Sequence, residues 1–92
     1  MSSVKETILI QKGFEDICKE VKQERMRQLG LWGSEVNQHY GLSDTEYNRL
    51  KFLVLSEEVG EVAKELLEGC QGLRAELIQV AAVAMAWLEL ID

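Results

Sequence analysis

The spacing of apolar residues predicts a first helix near the start of the chain. Apolar side chains recur every three or four positions, at Ile10, Phe14, Ile17 and Val21, which is the period of an amphipathic helix. Ser3 and Glu6 match a capping box at its start, and Gly30 is a natural stop at its end. We therefore expect a helix from about residue 3 to residue 30.

A second apolar stripe follows after a segment without a clean period. Ser43 and Glu46 form a second capping box, and Gly69 marks the end of a helix that runs to about Glu68. The apolar residues on one side of this helix are Phe52, Leu55, Val59, Val62, Ala63, Leu66 and Leu67. The tight turn at 70–72 then returns the chain, so the next helix is expected to lie antiparallel to this one.

The third helix, Leu73 to about Ile91, is apolar nearly all round between Leu77 and Leu88. A helix of this kind must be covered on several sides, and two other helices from a short chain cover it incompletely. The pattern therefore predicts one all-α domain over residues 1–92, a helical hairpin plus an N-terminal helix. We expect it to assemble into a four-helix-bundle-type homo-oligomer, a homodimer or a homotetramer.

Composition and charge narrow the classes of partner. The 92 residues carry a formal net charge of −6, and a chain without a basic patch is a poor binder of nucleic acid or anionic membranes. The apolar run from Leu77 to Leu88 is shorter than the roughly twenty residues that a bilayer requires. The N-terminus lacks a signal-peptide pattern. We expect Cys18 and Cys70 to be reduced thiols of a cytoplasmic protein.

Carboxylates gather on the hairpin. At 100° per residue, Glu57, Glu58 and Glu61 lie on one side of the second helix, and Glu58 borders its apolar stripe. Glu76 and Gln79 head a stripe of the third helix that is otherwise valine and tryptophan. One interpretation is a solvated acidic face, with Glu76 in an exposed first turn that the helix dipole favours. The other is that Glu76 faces Glu58 and Glu61 and shares a cation with them.

Oxygen ligands favour Mg²⁺, or Mn²⁺, over zinc. Glu58 and Glu61 are three residues apart and can reach one ion, and Glu76 joins them if the hairpin is antiparallel. A divalent ion bound in this way suits the hydrolysis of a phosphoanhydride, because it polarises a phosphoryl oxygen and screens its charge. Glu57 is then a candidate to orient or deprotonate the attacking water.

These residues resemble the signature of the MazG-like, all-α nucleoside triphosphate pyrophosphohydrolases. That signature is Glu-Glu-x-x-Glu on one helix and Glu-x-x-Asp on the next. The first half is complete at Glu57-Glu58-x-x-Glu61, within the family-like phrase at 55–64. The second half begins at Glu76. The upstream Glu24-Arg25, Gln28 and Trp32-Gly33 are also similar to many members, so the resemblance covers roughly residues 20–90.

The resemblance implies Mg²⁺-dependent cleavage of (deoxy)nucleoside triphosphates to monophosphates and pyrophosphate, in nucleotide-pool house-cleaning. It also implies a helical bundle built from two chains, sometimes doubled to a tetramer. Carried over by position, Glu58, Glu61 and Glu76 are the metal ligands, and Glu57 is a further ligand or holds a water. The chain departs from the family at Gln79, which replaces the closing Asp with a neutral amide. This amide can still ligate Mg²⁺, or it can bind the substrate by a hydrogen bond to a phosphate or a metal-bound water. The replacement predicts fewer or weaker ions, or lost activity.

Four further residues are candidates for contacts with the substrate. Arg25 and Lys64 suit triphosphate oxygens, although either side chain is equally consistent with a solvated helix surface. The segment at 30–42 is expected to be a loop, and it holds Trp32 and His39. Trp32 can stack on a base or pin the loop to the core. His39 can bond a base or a phosphate, or it can be a polar residue of the surface.

A rival interpretation is a non-enzymatic helical interaction module that dimerises or grips another protein through its last helix. A third interpretation is a degenerate homologue that binds nucleotides without cleaving them.

Overall fold

The computed structural model describes residues 4–32, 41–89 and 91, with side chains for all of these except 31 and 32. Three helices account for most of them: α1 (Val4–Trp32), α2 (Asp44–Glu68) and α3 (Leu73–Glu89). Across these ranges there is no β-strand. The predicted all-α class with a hairpin and an N-terminal helix is therefore confirmed.

The predicted caps of α2 are present. The Ser43 hydroxyl accepts a hydrogen bond from the Glu46 backbone N–H at 3.2 Å and lies 3.2 Å from the Glu46 carboxylate. At the other end Gly69 has φ = 109° and its N–H donates to the Glu65 carbonyl. A positive φ of this size favours glycine. Cys70 follows with φ = 68°, so two successive positive φ angles reverse the chain.

α2 and α3 form the antiparallel hairpin. The Trp87 indole, near the end of α3, donates to the Asn48 side chain near the start of α2, at 2.8 Å. At the opposite end of the hairpin the Gly72 N–H donates to the Glu65 carboxylate, at 2.9 Å. Pairing of an early residue of α2 with a late residue of α3 fixes the register that brings the middle of α2 next to the first turns of α3.

α3 is the central helix, since it packs against both α1 and α2. Arg74 in its first turn pairs with Glu20 of α1, and Glu89 in its last turn pairs with Arg25. The buried apolar residues are few and mostly small: Val21, Tyr47, Ala82, Val83 and Ala86. The described part of the chain therefore has a narrow core centred on α3.

The sequence placed the end of the first helix at Gly30, and this was wrong by two residues because α1 continues to Trp32. The expected loop at 30–42 therefore begins later, and residues 33–40 lie outside the described part of the chain, as does the predicted cap at Ser3. Residues 4–19 of α1 are all exposed. Of its apolar stripe only Val21 is buried, and Phe14 is 68% exposed.

Part of the predicted apolar stripe of α2 is exposed, since Phe52, Val59 and Leu66 are each more than half exposed. The covered face of α2 includes two members of that stripe, Leu55 and Val62, together with Tyr47, Lys51, Val54, Glu58 and Glu65. Two of the most buried of these are linked, with the Lys51 ammonium 5.6 Å from the centre of the Tyr47 ring. The hairpin therefore turns a partly charged face inward.

Two apolar surfaces are thus left uncovered by the described residues: the first half of α1 and the outer stripe of α2, which consists of Phe52, Val59 and Leu66. The Cα radius of gyration is 15.9 Å, above the ~13 Å of a globular domain of about 100 residues. Most of the stability of a helix in a protein comes from the packing of its apolar face. Within the described ranges, no helix combines the length and apolarity that spanning a bilayer demands.

Candidate functional site

Glu58 and Glu76 meet inside the hairpin. Glu58 lies on the covered face of α2, and Glu76 lies in the first turn of α3. Both residues are half-buried. The Oε2 atom of each is fully enclosed and has no hydrogen-bond partner. A buried carboxylate oxygen without a partner loses its hydration without compensation, so this pair is the least satisfied polar feature of the hairpin.

The environment of Glu58 raises its pKa. Burial is the largest cause, followed by the negative charge of Glu76 and by the hydrogen bond that Glu58 can donate to Glu76 once it is protonated. Only a protonated Glu58 can donate that hydrogen bond, and with both groups ionised neither oxygen has a donor. The charges of Glu61 and Glu24 raise the pKa further. A cation placed between the two carboxylates removes the same repulsion without a proton.

The other two predicted glutamates are in different settings. Glu61 is exposed on α2, one turn after Glu58, and its charge acts on Glu58. Glu57 is exposed beside it. Among the described residues, no three His, Cys, Asp or Glu side chains already form a group able to hold a metal ion. The fold therefore brings together a carboxylate pair with a third carboxylate nearby.

Glu24 and Arg27 of α1 lie near Glu58. They were not among the candidate site residues predicted from the sequence. The Arg27 guanidinium donates twice to the Glu24 carboxylate, at 2.8 and 2.6 Å, and Gln28 donates to it at 3.0 Å. Arg27 lowers the pKa of Glu24. The hydrogen bonds to Glu24 and the charge of Glu24 are the main reasons that the pKa of Arg27 is raised, and the Glu58 charge adds to them. The only sequence signal was the family-like run that contains Glu24, since periodicity does not reveal which α1 residues meet the hairpin.

The predicted substrate contacts are dispersed. Arg25 is only 7% exposed and donates to Glu89 at 2.5 Å, which ties α1 to the end of α3. Lys64 is exposed on α2. Gln79 is half-buried, one turn after Glu76. The Trp32 side chain and His39 lie outside the described residues, so their roles stay predictions.

Of the grooves lined by described residues, two lie beside the hairpin and hold polar side chains of interest. The first, of about 480 Å³, lies between α1 and the start of α3 and is lined by Glu20, Gln23, Glu24, Arg27, Gln71, Arg74, Ala75, Ile78 and Gln79. The second, of about 540 Å³, is more apolar and is lined by Thr45, Asn48, Arg49, Phe52, Leu53 and Trp87. Trp87 is half-buried at the edge of this second groove.

No protein-family model matches the chain, and no curated protein or solved structure is significantly similar to it. The arrangement of Glu58, Glu76 and their neighbours is therefore the basis for inferring the function of the chain.

Proposed function

We propose that the chain is a Mg²⁺-dependent nucleoside triphosphate pyrophosphohydrolase, which cleaves (deoxy)nucleoside triphosphates to monophosphates and pyrophosphate. House-cleaning of the nucleotide pool is the corresponding cellular role. The observation that carries the proposal is the enclosed, partnerless Oε2 atom on each of Glu58 and Glu76, on facing helices. Two such carboxylates of like charge require a cation or a proton, and the motif that contains them resembles that of metal-dependent pyrophosphohydrolases.

The donor set fits Mg²⁺ or Mn²⁺. The candidate ligands Glu58, Glu76 and Glu61 offer carboxylate oxygens, which these hard cations prefer. Cys18 and Cys70 are both exposed and are not among these ligands, so the candidate set contains no soft sulfur donor. When bound, the ion supplies charge neutralisation and polarisation of a phosphoryl oxygen.

The remaining work falls to the side chains of this chain. Glu57 is exposed next to the pair, and there its carboxylate orients the attacking water and accepts a proton from it. The water oxygen forms a new bond to phosphorus as the bond to the departing pyrophosphate oxygen breaks. Gln79 offers an amide that bonds a phosphate or a water. Lys64 is free of the buried face and can approach the substrate, whereas Arg25 is held by Glu89.

A homo-oligomer is part of the proposal. The outer stripe of α2 is exposed at Phe52, Val59 and Leu66, and a second hairpin packed there makes a four-helix bundle of the kind that the family resemblance implies. Trp32 and His39 are assigned to the base pocket on the basis of the sequence.

The rival function is a non-enzymatic interaction module, and the same exposed apolar residues favour it. In that case the glutamates serve solubility and Mg²⁺ has no effect on the protein.

The other alternative is a degenerate homologue that binds nucleotides without cleaving them, because Gln79 replaces the charged residue of the family motif. The substitution Gln79→Asp restores the family's charge, so acquisition of activity by this variant from an inactive parent identifies a degenerate homologue.

The test is release of pyrophosphate, in the presence of Mg²⁺, from a panel of canonical and modified ribo- and deoxynucleoside triphosphates. We expect selective release by the wild type and its loss in Glu61→Gln and Glu58→Gln. Glu68→Gln is the matched control, because Glu68 is an exposed glutamate in the last turn of the same helix. Absence of release from every nucleotide by a folded oligomer rejects the pyrophosphohydrolase in favour of the module or the degenerate homologue.

A further inference from the structure

We propose that the groove between α1 and the start of α3 binds the triphosphate tail of the substrate, and that Arg27 and Arg74 are its phosphate ligands. The inference rests on the proposed function and adds residues that neither the motif nor the family resemblance supplied. The groove measures about 480 Å³, within the range of small-molecule sites.

Two guanidinium groups line the groove from different helices. Arg27 projects from α1 and Arg74 from the first turn of α3. Their side chains are 50% and 66% exposed, so each head group is accessible to a ligand. A guanidinium offers a planar fork of N–H donors that matches phosphate oxygens in bidentate fashion. Three amide side chains add neutral donors around them: Gln23, Gln71 and Gln79.

Each guanidinium is now bound to a carboxylate in the position that a phosphate would take. Glu24 occupies the fork of Arg27 through two hydrogen bonds, and Glu20 pairs with Arg74. The Arg74–Glu20 pair is exposed, and such pairs contribute little net stability. The Glu24 side chain is more enclosed, at 13% exposed, and it also accepts a hydrogen bond from Gln28. Exchange of a carboxylate for a more highly charged phosphate is therefore inexpensive at Arg74, and until then the carboxylates keep the arginines oriented toward the groove.

The groove lies beside the carboxylate pair. Gln79 lines the groove and lies one turn after Glu76 on α3. Glu24 lines the groove from α1 and accepts hydrogen bonds from Arg27 and Gln28. A polyphosphate held at the pair by a divalent ion thus has its free oxygens beside Arg27 and Arg74, while the ion neutralises the carboxylates that would otherwise repel it.

The other arginines provide contrast. Arg25 is engaged with Glu89 and is almost fully buried. Arg49 is exposed but lines the second groove, beside Trp87. Arg49→Gln therefore removes the same charge as Arg27→Gln or Arg74→Gln without altering the first groove, and it is the matched control.

The experiment measures calorimetric binding of inorganic tripolyphosphate, with Mg²⁺, to the full chain. We expect Arg27→Gln and Arg74→Gln each to weaken binding about tenfold, and Arg49→Gln to change it less than about twofold. A nonhydrolysable deoxynucleoside triphosphate analogue should show the same ranking. Melting temperatures show whether each variant is folded. If Arg27→Gln is unstable, Arg27→Lys takes its place, and because it keeps the charge but loses the planar fork of donors, its affinity should lie between those of the wild type and a variant without the charge.

The outcomes separate this inference from the proposed reaction. Equal weakening by all three glutamine variants, or no binding by the wild type, overturns the groove assignment even if the wild type releases pyrophosphate. Binding that depends on Arg27 and Arg74 in a chain that hydrolyses no nucleotide supports the groove and removes the pyrophosphohydrolase.

Discussion

Glu58 of α2 and Glu76 of α3 face each other across the hairpin. One carboxylate oxygen of each is enclosed and has no hydrogen-bond donor among the described residues. Their neighbours Val54, Leu55 and Val62 on the covered face of α2 are apolar. Uncompensated buried charge destabilises a fold. An arrangement of this kind is typical of residues that serve a ligand rather than the fold.

The first prediction concerns pH. The ordinary pKa of Glu58 is 4.5, and its folded value is higher. Between these two values the folded state keeps a proton that the unfolded chain has lost, so stability falls as pH rises from 4.5 through the folded pKa. Without divalent ions, Glu58→Gln should therefore be more stable than the wild type at pH 7, by roughly 1 kcal/mol. Denaturant titrations from pH 4 to pH 8 measure this difference.

The opposite dependence is expected at Glu24, whose pKa is lowered by its hydrogen bonds to Arg27. Its contribution to stability is present above 4.5 and is lost as pH falls through the folded pKa. In Glu58→Gln, the free energy of unfolding should still fall at low pH. Its decrease as the pH rises above 4.5 should disappear. A decline of unchanged size in Glu58→Gln shows that another group causes it.

The second prediction concerns divalent ions. If Glu58, Glu61 and Glu76 bind Mg²⁺ or Mn²⁺ in the folded state only, the ion stabilises the protein by about 2.7 kcal/mol at a hundredfold excess over Kd. Thermal melts with and without the ion measure the shift. It should be absent in Glu58→Gln and Glu76→Gln, and intact in Glu68→Gln. A shift that survives in the first two variants places the ion elsewhere, and no shift in the wild type favours the interaction module.

The third prediction concerns the turn between the two helices of the hairpin. A Cβ at Gly72 would lie 2.6 Å from the Glu65 carboxylate, which accepts the Gly72 N–H. Gly72→Ala should displace that carboxylate and cost about 1 kcal/mol. In a Glu65→Ala background the same change should be neutral or slightly stabilising, because alanine restricts the unfolded chain. Denaturant midpoints of the four proteins give the coupling, and equal costs in both backgrounds contradict it.

The sequence predicted the fold well where local rules decide it. Ser43 and Gly69 bound α2 because capping and a positive φ depend on single residues and their near neighbours. Helix length was less certain at Gly30, since a glycine ends a helix only where the surrounding contacts favour the stop. Which face of α2 turns inward was not predictable, because the most apolar face is exposed at Phe52 and Val59. The pattern of a single chain does not show whether a second chain covers that face.

The candidate site was predictable in part for the same reason. The spacing of Glu58 and Glu76, together with the antiparallel turn, is local information, and the structure brings the two side chains together. Glu24 and Arg27 come from a helix whose approach depends on tertiary packing, so no spacing rule assigned them. Arg25 illustrates the converse, because a cation two residues from Arg27 is turned toward Glu89.

The fourth prediction separates the two roles considered for Arg25. The structure places its guanidinium almost fully out of solvent, with Glu89 as a partner at 2.5 Å. Arg25→Gln should therefore lower the free energy of unfolding by roughly 1–3 kcal/mol and leave KM for a nucleoside triphosphate nearly unchanged. A phosphate-binding Arg25 would give the reverse, a raised KM with little loss of stability. Denaturant midpoints and initial-rate kinetics on Arg25→Gln, with Arg27→Gln as the comparison, distinguish the two. Because Arg27 is exposed and lies in the first groove, its variant should raise KM with a stability loss below about 1 kcal/mol.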